Sequence, residues 1–356
     1  MSKKHQIFIS ISLPIQWLLV RLLGRYPEWV EYVYSQKIYP LIALILQSLW
    51  NWVPFSVGDI FYLSLIIGII YIGYNTLKKR QSISNVLLTF TTYLSLFYFT
   101  FHLFWAINYY RLPLYQSMDL EAEYSTEELY TTTLKLLQNT NALYTELSEE
   151  TQQLEIPYSR KEIREQASEG YLTFSKNVLP INRKPKSIKN SLFSLSISYL
   201  GYGGYFNPFT GEAQVNARVP KTIYTVIATH EQAHQLGYAA ENEANFIGVL
   251  ASIKNPDPYF QYTGYAYGLR YCLNELGRRD KKLYQEIYPL LEDGVKEMYR
   301  NQSEFWRQYD SKIEMYSKYI WDSFLKASQQ KEGIMSYSYI VALLVNFDKK
   351  HPDIFQ

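Results

Sequence analysis

One cysteine, Cys272, is all the chain has. A lone thiol cannot close an internal disulfide, and it cannot supply a thiolate-rich zinc or iron–sulfur site. Any transition-metal centre would have to be built from imidazole and carboxylate. Histidine is scarce as well, with five in 356 residues. Charge of one sign is also missing: 35 basic residues stand against 33 acidic ones, for a formal net charge of +2, and no basic stripe runs along the sequence. That sets nucleic acid aside as a partner. Repeats and low-complexity linkers are absent too. What is plentiful is aromatic side chain, at 17% with 35 tyrosines, a composition suited to bilayer interfaces and extracytoplasmic surfaces.

Three apolar stretches, residues 7–23, 60–77 and 86–107, are each close to the roughly 17–25 residues that a crossing helix needs. Pro14, Gln16, Arg21 and scattered Ser, Thr and Tyr interrupt them, so buried core helices are the competing reading. The flanks decide for the membrane. Lys3 and Lys4 precede the first stretch, and Lys78, Lys79 and Arg80 fill the turn between the second and third, which puts both segments in the cytoplasm. Trp50, Trp52, Trp105, Tyr109 and Tyr110 then fall at the outer interface as an aromatic belt. No small-x-small cleavage site follows the first stretch, so it is expected to be an anchor and not a signal peptide. A shorter run, residues 38–49, is expected to lie along the outer surface or to re-enter. His102 in the third stretch is a proton relay or ligand on one reading; a structural residue is the expected one. Three crossings that start inside leave residues 113–356 outside the cytoplasm.

The fold class expected is mainly α: a membrane anchor over residues 1–112 with three transmembrane helices, then an α+β domain over residues 113–356 with a small hairpin or sheet. Ser125 or Thr126 can cap a helix that carries Leu129, Leu134, Leu137 and Leu143. In "LFSLSISYL", Phe193, Leu195, Ile197 and Tyr199 alternate with serines, which predicts a half-buried strand. Residues 205–216 read as a second extended segment with a tight Thr-Gly turn. Pro220 suits the first turn of a helix, and the last hundred residues read as several packed helices.

That helix carries the chemistry. In "ATHEQAHQLGYAAENEAN", residues 228–245, His230 and His234 are four apart and so share one helix face, with Glu231 about 100° round. This is the H-E-x-x-H spacing: two neutral imidazoles bind Zn2+, and the glutamate takes a proton from the water there. A catalytic zinc needs a third protein ligand. Gly237 can end the helix in a left-handed conformation, and "AAENEANFIGVLASIK" reads as a second helix that stops at Asn255-Pro256. A sharp reversal there brings Glu241 and Glu243 back over the histidines as competing ligands. Asn245, four residues after Glu241, can orient a ligand histidine, which favours Glu241 as ligand and leaves Glu243 as a surface or outer carboxylate.

The string "HEQAHQLGYAAENEANF" stands with "YPEWVEYVYSQKIYPLI" and "YFNPFTGEAQVN" before it, and "YFQYTGYAYGLRYCLNEL" and "FLKASQQKEGIMSYSYIVALL" after it. Together they resemble, over nearly the whole chain, a bacterial membrane family catalogued as domain of unknown function 3810. The resemblance implies a multi-pass protein of the bacterial cytoplasmic (inner) membrane and a zincin-like domain, and it implies no substrate. Around the site, Glu241 and Asn245 after H-E-x-x-H are similar to the ligand and outer residue of gluzincin peptidases, although Glu241 follows His234 sooner than in that class.

The resulting expectation is a zinc metallopeptidase anchored in the lipid bilayer and acting on an envelope peptide or protein. In it His230, His234 and Glu241 hold the metal, Glu231 is general base, Asn245 and Glu243 stand behind the ligands, and Tyr337 or Tyr339 stabilises the oxyanion. The strand 193–199 or the segment 205–216 would pair with the substrate backbone. The rival is a transporter component or other non-catalytic membrane protein with a relic or structural metal site. Three spans with few interior charges make a poor translocation path.

Overall fold

The serines and threonines that interrupt the apolar stretches face one another. The computed structural model describes residues 1–78, 82–148, 154–174, 179, 181, 183–327 and 339–355. The chain falls into two compact units, residues 1–112 with 207–212, and residues 113–206 with 213–356. In the first, helices α1 (Lys3–Leu23), α2 (Tyr39–Trp50), α3 (Val57–Lys78) and α4 (Ile83–Phe104) follow in order. Helices α1, α3 and α4 are long and apolar enough to cross a membrane. Helix α2, with 12 residues, reaches only about 18 Å, well short of a hydrocarbon core of about 30 Å. The third span ends at Phe104 and not at residue 107, because Trp105 leaves the helical region (φ −160°, ψ −44°) and a 3-10 turn, Ala106–Tyr110, follows.

Along the α1–α4 seam Ser10 bonds Thr92 at 3.0 Å, Ser12 bonds Ser95 at 3.1 Å, and the Gln16 amide donates to Ser95 at 3.0 Å. Between helices in lipid, such bonds and close packing replace a hydrophobic drive. Ser95→Ala should therefore lower stability by about 0.6 kcal/mol per lost interhelical bond, read from unfolding of the full chain in micelles. His102 turns its Nδ1 to the Tyr98 carbonyl of its own preceding turn, at 2.9 Å, as a structural histidine does. After the last span, Arg111 forks onto the buried Glu31 carboxylate at 2.8 and 2.7 Å and ties the chain to the π-helical stretch Val30–Ile38.

Residues 207–212 complete this first unit. The Phe209 ring lies 5.1 Å from Phe61 and 5.1 Å from Phe97. The fully buried Glu212 carboxylate accepts the backbone N–H of Gly58 at 2.6 Å and of Val57 at 3.3 Å. It thus satisfies orphan donors at the start of α3, where the helix dipole favours negative charge.

The first long helix of the second unit is α5 (Thr126–Ser148). Ser125 and Glu128 close a reciprocal capping box at its start, through bonds of 2.7 and 3.1 Å. Then come β1 (Ile188–Asn190), α6 (Ser194–Tyr199), β2 (Gly204–Asn207) and β3 (Glu212–Val215). Helices α7 (Lys221–Gln235), α8 (Glu241–Ile253), α9 (Pro258–Arg279), α10 (Asp293–Arg307), α11 (Lys312–Ala327) and α12 (Ile340–Lys350) follow. Pro220, expected as the first helical residue, is instead the N-cap of α7, and the helix starts one residue later at Lys221. The sheet order is β1-β3-β2, with β1 parallel to β3 and Ile188 opposite Ala213. Leu129 and Leu136 of α5, Phe246 of α8, Leu269 of α9 and Phe347 of α12 are fully buried in one core, each burial contributing about 1.5–3 kcal/mol.

The expected strand 193–199 is instead helix α6. Its serines serve their own backbone: Ser191 Oγ accepts the Phe193 N–H at 3.0 Å, and the Ser194 and Ser198 hydroxyls donate to the Ser191 and Ser194 carbonyls at 2.6 and 2.8 Å. Local bonds of this kind offer the chain a turn or helix in place of a ladder. The alternation does not map onto burial, since Leu195 and Tyr199 are exposed while Ile197 is buried.

Candidate metal centre

Helix α7 ends in a Schellman turn. Gly237 takes φ +91°, its N–H donates to the His234 carbonyl at 2.9 Å, and the Tyr238 N–H donates to the Ala233 carbonyl at 3.2 Å. Only three residues then separate the turn's glycine from Glu241, the first residue of α8. A reversal this tight returns Glu241 over the last two turns of α7, which is how so short a spacing reaches the histidines. The two helices cross where α8 has no side chain. A Cβ on Gly248 would lie 2.9 Å from the His230 Cα and N. Beside this crossing Thr229 Oγ1 donates to the Gly248 carbonyl at 2.9 Å. Gly248→Ala should push the helices apart, cost about 1–3 kcal/mol as overpacking does, and weaken metal retention; thermal unfolding and metal content read the two effects.

Glu241 Oε2 lies 3.4 Å from His230 Nε2 and 3.8 Å from His234 Nε2. Charge-assisted N–H···O bonds are shorter, about 2.7–2.9 Å. Two ligands each about 2.0–2.1 Å from a tetrahedral zinc stand about 3.3 Å apart, close to the separations here. Glu231 is the other carboxylate of the cluster: its ligand oxygen and the nitrogens of the two histidines all lie within 4.8 Å of one another. The Glu241 oxygen faces both Nε2 atoms. Glu231 Oε2 and His230 Nδ1 are buried without a hydrogen-bond partner. Two imidazoles and a carboxylate are a donor set suited to Zn2+.

The histidines differ in their second nitrogen. His234 Nδ1–H donates to the Tyr238 carbonyl at 2.7 Å, so Nε2 is the nitrogen that faces Glu241 and the one that offers a lone pair when the ring is neutral. Asn245 lies near enough to His230 to favour its charged form, yet both His230 Nδ1 and Asn245 Nδ2 stop short of a hydrogen bond. Glu243 is occupied elsewhere: its carboxylate accepts the Leu114 backbone N–H at 2.6 Å.

All four chemical groups are nearly closed off, with His230 the most accessible at 14% of its side chain and Glu241 at 8%. Burial pushes the Glu231 carboxyl up to about 8, with the Glu241 charge adding to it and His234 opposing it. Burial alone would lower His234, but the Glu241 and Glu231 carboxylates and the Tyr238 carbonyl carry it up to about 9. Burial likewise opposes ionisation of Glu241, and the two histidines override it and hold that carboxyl well below the usual range.

Strand β2 passes alongside. A Cβ on Gly204 would meet Glu231 Oε1 at 2.8 Å. Among the described residues β2 has one sheet neighbour, β3. The residue against Glu231 is thus Gly204, just before the segment 205–216, and residues 193–199 do not form the strand expected there.

Of the expected oxyanion tyrosines, Tyr337 lies outside the described residues. Tyr339 is half exposed at the cap of α12 and makes no hydrogen bond or ring contact with the histidines or Glu231. The sequence reading missed Tyr202, Tyr267 and Tyr271, whose phenols burial keeps protonated with a further push from the nearby Glu241 charge. Tyr267 and Tyr271 sit four apart on α9, with ring centroids 5.3 Å apart. A cleft of about 360 Å³ lined by Ile156, Lys221, Met298 and Asn301 opens at the first turn of α7. Lys221 is about 13 Å along the axis from His230, so that cleft is not the mouth of this site.

No curated protein and no solved structure matches the chain. The model of a family described as "Protein of unknown function (DUF3810)" does match, over residues 34–345, a stretch that takes in helices α2 to α11 and the whole His-Glu cluster, and the chain belongs to that family.

Proposed function

We propose that the protein is a membrane-anchored, zinc-dependent metallopeptidase that hydrolyses a peptide or protein of the bacterial envelope. The observation that carries this reading is the convergence of His230 Nε2, His234 Nε2 and Glu241 Oε2 at near-ligand separations, with the orphaned Glu231 carboxylate beside them. His230, His234 and Glu241 would hold Zn2+, which when bound acidifies a water and polarises a carbonyl. Glu231, with its unpartnered Oε2, is placed to accept the water's proton and to return it to the leaving amine. Strand β2 runs past Glu231 at Gly204, which places an extended segment beside the position a substrate backbone would take. Tyr202, Tyr267 and Tyr271 keep their protons and are donor candidates for the developing oxyanion, in place of Tyr339.

A zincin-like arrangement of α7, α8 and β2 goes with this reading. So does the orientation expected from Lys3, Lys4 and the basic turn at 78–80, with the N-terminus in the cytoplasm and residues 113–356 outside. The low exposure of the four groups favours a second reading, a structural metal site. One experiment separates them. The full chain in lipid nanodiscs is offered a quenched-peptide library before and after chelation, and again after zinc is returned. Peptidase function expects cleavage that is lost and restored with metal; no cleavage by a zinc-loaded, folded sample would leave the structural site standing.

A further inference from the structure

Among the described residues, helix α11 packs with one side and leaves the other exposed. On its inner side Leu325 is fully buried, Ser317 Oγ donates to Tyr202 Oη at 2.9 Å, and the Trp321 ring meets Tyr202 at 6.4 Å. The outer side shows Ile313, Met315, Tyr316, Tyr319 and Ile320, exposed by 57 to 73%. At 100° per residue these five fall within an arc of about 160°, along a helix about 24 Å long. Charge is sorted by the same geometry. Lys312 and Lys326, near the two ends of the helix, lie on the apolar arc. Glu314 is turned inward toward Gly201, and Asp322 sits at the arc's margin, paired with Lys326 at 2.7 Å.

We propose that α11 is an in-plane interfacial helix, which lays this apolar face into the headgroup region of the bilayer and sets Lys312 and Lys326 against anionic lipid. Three features select lipid over a protein partner. Helices α1, α3 and α4 fix the chain to a bilayer, so that surface is present at the effective concentration of a tether. The face combines aliphatic side chains with tyrosines, whose rings suit the headgroup level. Its cations stand on the arc near the two ends of the helix, and the arc itself carries no acid, as in helices that lie on anionic membranes.

The test uses the full chain in nanodiscs, with an environment-sensitive dye on Tyr319→Cys. Cys272 is buried and does not compete for the label. A dye on Glu286→Cys, in the exposed part of the helix Lys281–Ile287, is the control. The dye at 319 is expected to be quenched severalfold more by brominated lipid than the control and to be shielded from aqueous iodide. Both effects should be stronger with phosphatidylglycerol than with phosphatidylcholine alone, and Lys312→Glu with Lys326→Glu should remove that difference. A dye at 319 as open to iodide as the control overturns the proposal. So does shielding from iodide without quenching by brominated lipid, which would mean that a protein covers the face.

Discussion

Glu241→Ala should empty the metal site while Glu243→Ala leaves it loaded. Both glutamates are buried in the first turn of α8, and they lie two residues apart, about 200° round the helix. Only Glu241 presents an oxygen to both histidine Nε2 atoms, at 3.4 and 3.8 Å. Losing a ligand should cost zinc affinity well beyond the roughly 10–100-fold typical of an outer partner. Glu243→Ala instead strands the Leu114 N–H and should appear as lost stability of about 1–3 kcal/mol. Zinc titrations of both variants at one pH, beside their unfolding curves, separate the roles; a Glu243→Ala chain that loses zinc while Glu241→Ala keeps it would reverse the assignment.

Glu231→Gln is the second large effect, and it should split chemistry from binding. The side chain keeps its shape and its place against Gly204, but the amide cannot take a proton. Zinc content should stay near that of the unaltered chain, and peptide hydrolysis should fall by about 100-fold or more, as for a lost general base. Zinc lost with activity would make Glu231 a ligand and not a base. Full turnover by the variant would remove it from the reaction.

Local signals in the sequence reached far into this site, because much of it is built by local rules. Two histidines at i and i+4 must share a face, and a glycine after them can end the helix, so His230, His234 and the Gly237 turn were legible. The short interval to Glu241 was the doubtful part. Its resolution lies in the tightness of the Schellman turn and in a helix crossing that only Gly248 permits. The serine-rich segment misled because a period of two also fits serines that bond their own backbone, as Ser194 and Ser198 do. Tyr202, Tyr267 and Tyr271 were not legible as a group, since nothing local distinguishes them among 35 tyrosines. Nor was the place of residues 207–212, whose partners Phe61, Phe97 and Gly58 are more than a hundred positions away.

That last feature sets a clock on biosynthesis. The three long helices leave the ribosome first, yet the unit they belong to lacks the Phe209 ring and the Glu212 carboxylate until residues 113–206 have also been made. At about 5–20 residues per second that is a delay of roughly 5–20 s. Through that interval the first N–H groups of α3 have no Glu212 to accept them, and Phe61 and Phe97 have no Phe209 between them. A nascent chain that stalls before residue 207 therefore holds every span and still cannot finish its membrane unit.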